Sequence, residues 1–131
     1  MIELALIRSL MQKDFYEDHK GSKCPDRLFS KDVRKIKNTL DEAMGKHERN
    51  LSLTELQALF FSDNGTMTSA NKASFEVLFS KLSKEEPMNN DIAKEVLSKL
   101  FQQMVGEEVA NIGFDYVNGT KNNLEPLRNI L

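Results

Sequence analysis

Asp14, Glu17, Asp18 and His19 fall within six consecutive positions and could offer carboxylate oxygens and one imidazole nitrogen to a metal ion. His47 is the only other histidine, so a zinc-type donor set does not assemble from the sequence, and the cluster reads as an exposed helix end. Cys24 is the sole cysteine. It has no sequence-adjacent base to activate it as a nucleophile. A lone thiol also rules out a disulfide framework within the chain and suits a reducing compartment.

Two loops invite a phosphate or calcium reading and fail its requirements. Gly45-Lys46-His47 lacks the hydroxyl residue and the first glycine of a phosphate-binding loop, and Gly119-Thr120-Lys121 fails similarly. The run Ser62-Asp63-Asn64-Gly65-Thr66-Met67-Thr68 has the look of an EF-hand centre. Setting Gly65 at the sixth loop position puts Phe60 first and Asn71 twelfth, where calcium needs carboxylates. The run therefore reads as a helix–helix turn. Sequons begin at Asn50, Asn64 and Asn118, and the last two read better as Asn-Gly turns. No catalytic, cofactor or metal site is expected in this segment.

The elements around these residues follow a helical period. Ile2, Leu6, Ile7, Leu10 and Met11 predict a helix over 2–16, and residues 19–26 a loop. Ser30 is positioned to cap a helix over 31–47 that buries Val33, Ile36, Leu40 and Met44. Lys31, Arg34, Lys35 and Lys37 share that helix with Asp32, Asp41 and Glu42, and read as its solvated face. Ser52-Leu53-Thr54-Glu55 fits a capping box, with Leu51 and Leu56 placed for a hydrophobic staple. That helix buries Leu53, Leu56, Leu59 and Phe60 and stops near Asn64-Gly65. Thr68 or Ser69 starts the next, whose stripe is Phe75, Leu78, Phe79 and Leu82; Pro87 ends it.

One long helix is predicted from Asn89 or Asn90 to Val117, stopped by Asn118-Gly119. Ile92, Val96, Leu100 and Met104 form one ridge; Leu97, Phe101 and Val105 form a second. Two ridges exceed what one small core requires and favour self-association. Gly106, Ala110 and Gly113 lie within about 60° of one another on a helix. Each glycine costs a helix interior about 1 kcal/mol. Either a close crossing by another helix or a break near Gly113 accounts for them. Leu124, Leu127, Ile130 and Leu131 begin a further helix, and the chain stops inside that pattern, which predicts a fragment of something longer.

The fold class is therefore all-α, with a helical head over 1–88 and a long helix and start of a helical hairpin over 89–131. At 131 residues, 40% hydrophobic and 29% charged, the chain suits one globular unit rather than a disordered one. Lys+Arg 18 against Asp+Glu 20 gives a net charge of −2. That balance supplies no electrostatic case for direct nucleic-acid binding. No stretch is long and apolar enough to span a bilayer, and residues 1–8 do not make a signal peptide.

The order of elements resembles the N-terminal domain of DnaB-type hexameric replicative helicases, in particular the shorter phage versions. Leu28-Phe29 stands at the family's entry to its second helix, followed by Arg34 and Ile36. Leu53 and Leu56 match the short helix, Pro87 with Asn90 matches the lead into the long helix, and 89–131 resembles the helical hairpin. Val33 departs from the pattern, standing where cellular members usually carry histidine. The resemblance implies dimers formed through hairpins, three dimers to a ring, and docking of primase or a helicase loader. ATP and magnesium would belong only to a C-terminal P-loop domain of the parent protein, and the setting would be a bacterial cytoplasm. Self-association would fall to Leu97, Phe101, Val105, Gly106, Val109, Ala110 and Gly113, with internal packing the competing role for Leu97 and Phe101. A free-standing helical adaptor or regulatory binding protein is the alternative function.

Overall fold

The computed structural model describes the backbone of residues 2–117 and the side chains of 2–107 other than Ser22. Among the described residues every regular element is helical, as the periodicity predicts: α1 (Ile2–Leu10), α2 (Lys13–His19), α3 (Lys31–His47), α4 (Leu53–Asp63), α5 (Ser69–Ser83) and α6 (Asn90–Val117). Short 3-10 turns at Gly21–Lys23 and Asp26–Leu28 link α2 to α3. The chain divides into two compact units, Met1–Lys94 and Glu95–Leu131, six residues beyond the predicted head boundary.

The first unit is built around α3. Its stripe buries Val33, Ile36, Leu40, Ala43 and Met44, and α3 packs on α1 and α4. Leu4, Leu6, Ile7 and Leu10 of α1 are at most 1% exposed, and α1 also packs on α5. Phe60 of α4 meets Phe75 and Phe79 of α5 at ring-centroid distances of 4.8 and 5.4 Å, tilted as aromatic pairs prefer.

The predicted helix over 2–16 is interrupted. Gln12 is extended (φ −91°, ψ 124°), which separates α1 from α2. The cause lies far along the chain. Leu51 N–H donates to the Met11 carbonyl at 2.9 Å, and Lys13 N–H donates to Asn50 Oδ1 at 2.8 Å. These bonds satisfy backbone groups that a helix break would otherwise orphan.

Local signals hold at α4 and α5 and fail at the start of α3. Glu55 N–H donates to Ser52 Oγ (3.1 Å) and Ser52 N–H to Glu55 Oε1 (3.0 Å), completing the capping box. Leu51 and Leu56 are both buried. Arg49 braces the Glu55 carboxylate, and this pairing, with the Ser52 hydrogen bonds, holds Glu55 down to about 2. Thr68 rather than Ser69 caps α5, accepting from Asn71 N–H at 3.2 Å. Ser30 occupies the N-cap position of α3, but its hydroxyl and backbone N–H both turn to the Glu3 carboxylate. Asn89 Oδ1 accepts from Asp91 N–H at 2.9 Å at the start of α6.

Candidate functional site

Lys37 is the one charged residue below 5% exposure among the described residues, which corrects its placement on a solvated face. Its ammonium donates to Asp26 Oδ1 at 2.8 Å and to Asp41 Oδ2 at 2.9 Å. The helical period explains the burial. Lys37 lies four residues after Val33 and three before Leu40, on the stripe that α3 turns inward. That spacing was readable in the sequence, and charge alone argued otherwise.

The clasp continues outward. Tyr16 of α2 donates its hydroxyl to Asp41 Oδ1 at 2.9 Å. Arg34, also half-buried rather than solvated, donates from Nε to the Asp26 carbonyl (3.2 Å) and from Nη2 to the Phe29 carbonyl (3.1 Å). Two cations of α3 thereby pin the 3-10 segment over the helix. Lys31 and Lys35 are exposed as predicted. Tyr16, Lys20, Gly21, Cys24, Asp26, Lys37 and Asp41 line an open cleft of about 580 Å³.

The chemistry of the cleft is fixed by who holds the protons. Burial by itself would lower Lys37, but its hydrogen bonds to Asp26 and Asp41 outweigh that and hold it raised. Burial pushes the Cys24 thiol up to about 11, with the Lys37 charge opposing in part. Burial, then the hydrogen bond to Asp41, raises the Tyr16 phenol well above its usual range. At neutral pH the cleft therefore presents an ammonium already satisfied, a neutral thiol and a neutral phenol. The ammonium clasps the Asp26 turn to α3.

The other candidates disperse. His19 stacks on Phe15 with centroids 4.2 Å apart, its Nδ1 bonded to the Phe15 carbonyl at 2.9 Å. Glu17 pairs with Lys20 at 3.0 Å. Among the described residues no group of three or more His, Cys, Asp or Glu is placed to hold a metal ion. The 62–68 run is a helix–helix turn, with Asn64 Nδ2 donating to the Phe60 carbonyl at 2.8 Å. Gly45-Lys46-His47 forms the end of α3. Gly119-Thr120-Lys121 lies outside the described residues, as does the helix predicted near 124–131.

On α6, Leu97 is 3% exposed and Phe101 37% exposed. Val105 is half-buried, and Gly106 is exposed with open space where a Cβ would stand. Val109, Ala110 and Gly113 are helical in backbone, and their side chains lie outside those described. The helix continues through Gly106 and Gly113 to Val117. Val96, Leu100, Phe101, Met104 and Val105 are all short of buried. Ile92, nearer the start, is 51% exposed. No helix among the described residues is long and apolar enough to cross a membrane. No protein-family model, curated protein or solved structure matches the chain.

Proposed function

We propose that this chain is a non-catalytic assembly domain that pairs with a second copy of itself through α6, in the manner of the N-terminal domain of a DnaB-type replicative helicase. The single observation that carries the reading is the row of apolar side chains on α6 that stay short of buried: Phe101, which is exposed, and Val96, Leu100, Met104 and Val105, which are half-buried. A contiguous apolar row bounded by Glu95, Lys99 and Gln103 is the composition of an interface rather than of a solvated helix. Burying it in a pair yields about 25 cal/mol per Å² of apolar area. The polar clasp around Lys37 fits a scaffold role, since it orders a loop on α3.

In this reading the pairs assemble three to a ring, and the head offers a docking surface to primase or a helicase loader. ATP-dependent unwinding belongs to a P-loop domain outside this chain. The test is a charge placed in the row. Phe101→Asp is expected to abolish pairing in crosslinking and light scattering while leaving the helical circular dichroism unchanged. Pairing of the variant at unaltered strength would remove α6 as the interface.

A further inference from the structure

Reading 62–68 as a turn leaves the Asn64–Gly65 step without a role. Asn64 is the C-cap of α4, at φ −114° and ψ 41°. Its backbone N–H donates to the Phe60 carbonyl at 3.1 Å, and its side-chain Nδ2 donates to the same oxygen at 2.8 Å. Asn64 is half-buried and Gly65 exposed, so water reaches the step. Gly65 does not adopt a left-handed φ, and a Cβ there would meet only the Ser62 carbonyl oxygen, at 3.8 Å. The backbone does not require glycine at this position. What glycine does provide is an amide nitrogen with no adjacent side chain to hinder its attack.

We propose that Asn64–Gly65 is a spontaneous deamidation site, with water as co-substrate and the α4 C-cap as its gate. The Gly65 nitrogen attacks Asn64 Cγ, forming an N–C bond and a five-membered succinimide. The proton from Gly65 passes to the side-chain nitrogen, which leaves as ammonia. Water then opens the ring at either carbonyl, giving aspartate or its β-linked isomer. The sum is amide plus water to carboxylic acid plus ammonia, with no oxidation or reduction.

The hydrogen bond from Nδ2 to the Phe60 carbonyl sets the rate in the folded chain, because the carboxamide must leave that oxygen to meet the Gly65 nitrogen. The product cannot restore the bond. A carboxylate at residue 64 has no donor for the Phe60 carbonyl, and it sets negative charge at the negative end of the α4 dipole. Modification therefore loosens the end of α4 and cannot be reversed by refolding.

The experiment incubates the whole chain, folded and in denaturant, at mildly alkaline pH and follows residue 64 by peptide mapping. Mapping separates it from the Asn118–Gly119 step. Conversion in the folded chain is expected about fivefold slower than in denaturant, the factor that a hydrogen bond of roughly 1 kcal/mol gives at about 1.4 kcal/mol per tenfold. Gly65→Ala, which the space permits, is expected to suppress conversion in both states. Equal rates in the two states would overturn the gate. Conversion unaffected by Gly65→Ala, or none in the folded chain while the denatured chain converts fully, would overturn the site.

Discussion

Asn50 caps a helix to which it does not belong: its Oδ1 accepts the Lys13 N–H at 2.8 Å, across 37 positions of sequence. Residue 12 offers no side-chain cap of its own, so the start of α2 depends on the segment just before α4. With Leu51 N–H bonded to the Met11 carbonyl, this short stretch fixes where one predicted helix becomes two.

Removing that oxygen has a defined cost. Asn50→Ala is expected to destabilise the fold by about 1 kcal/mol, the usual loss for an N-cap oxygen. Asn50→Asp keeps an acceptor and is expected to stay close to the parent. Urea midpoints of the three proteins measure this. An alanine variant as stable as the parent would show that the Lys13 amide is content with water.

The Lys37 clasp predicts an asymmetry between its two sides. Asp41→Asn removes the charge from an acceptor that serves both Lys37 and Tyr16, leaving a buried ammonium with one carboxylate. A loss of about 2 kcal/mol is expected, the scale of a hydrogen bond to a charged group. Lys37→Met removes the buried charge and fills the space with apolar volume, and is expected to be milder. The carboxylates it strands reach solvent, with Asp26 51% and Asp41 35% exposed at the side chain. Equilibrium unfolding that ranks the lysine variant as the more damaged would contradict the clasp.

Cys24 makes stability depend on alkaline pH. Its folded value near 11 lies above the ordinary 9, so the fold favours the neutral thiol. The stabilisation is complete below about 9 and is lost as pH rises toward 11, because the unfolded chain releases the proton first. Tyr16, raised from 10.0, and Lys37, raised from 10.5, begin to lose their contributions in the upper part of that window and go on losing them beyond it. Denaturation under reducing conditions is expected to show a falling midpoint across the window from 9 to 11, and Cys24→Ala to flatten the part from 9 to 10, below the onset of the Tyr16 loss. An identical slope in the variant would place the titration elsewhere.

What was legible in the sequence follows the range of the forces involved. The capping box at Ser52 and Glu55, the Thr68 start of α5 and the run of α6 from Asn90 to Val117 depend on neighbours within one or two turns. The split at Met11 and Gln12 depends on Asn50 and Leu51, and no local pattern announces it. Lys37 lies between these cases. Its position on the inward stripe was visible, yet the partners that make burial tolerable come from the Asp26 turn, eleven residues back, and from Tyr16. Leu97 and Phe101 share a predicted ridge and part company in the fold, one buried and one exposed, because burial is decided by what packs against a helix rather than by the helix itself.

In the proposed pairing, the row on α6 is completed by a second copy of the chain. Sedimentation equilibrium over a concentration series into the high micromolar range tests it most directly. The expected mass rises with concentration toward that of a dimer, and a Phe101→Asp chain stays at the mass of one. A single-chain mass for the parent protein across the whole series would contradict it.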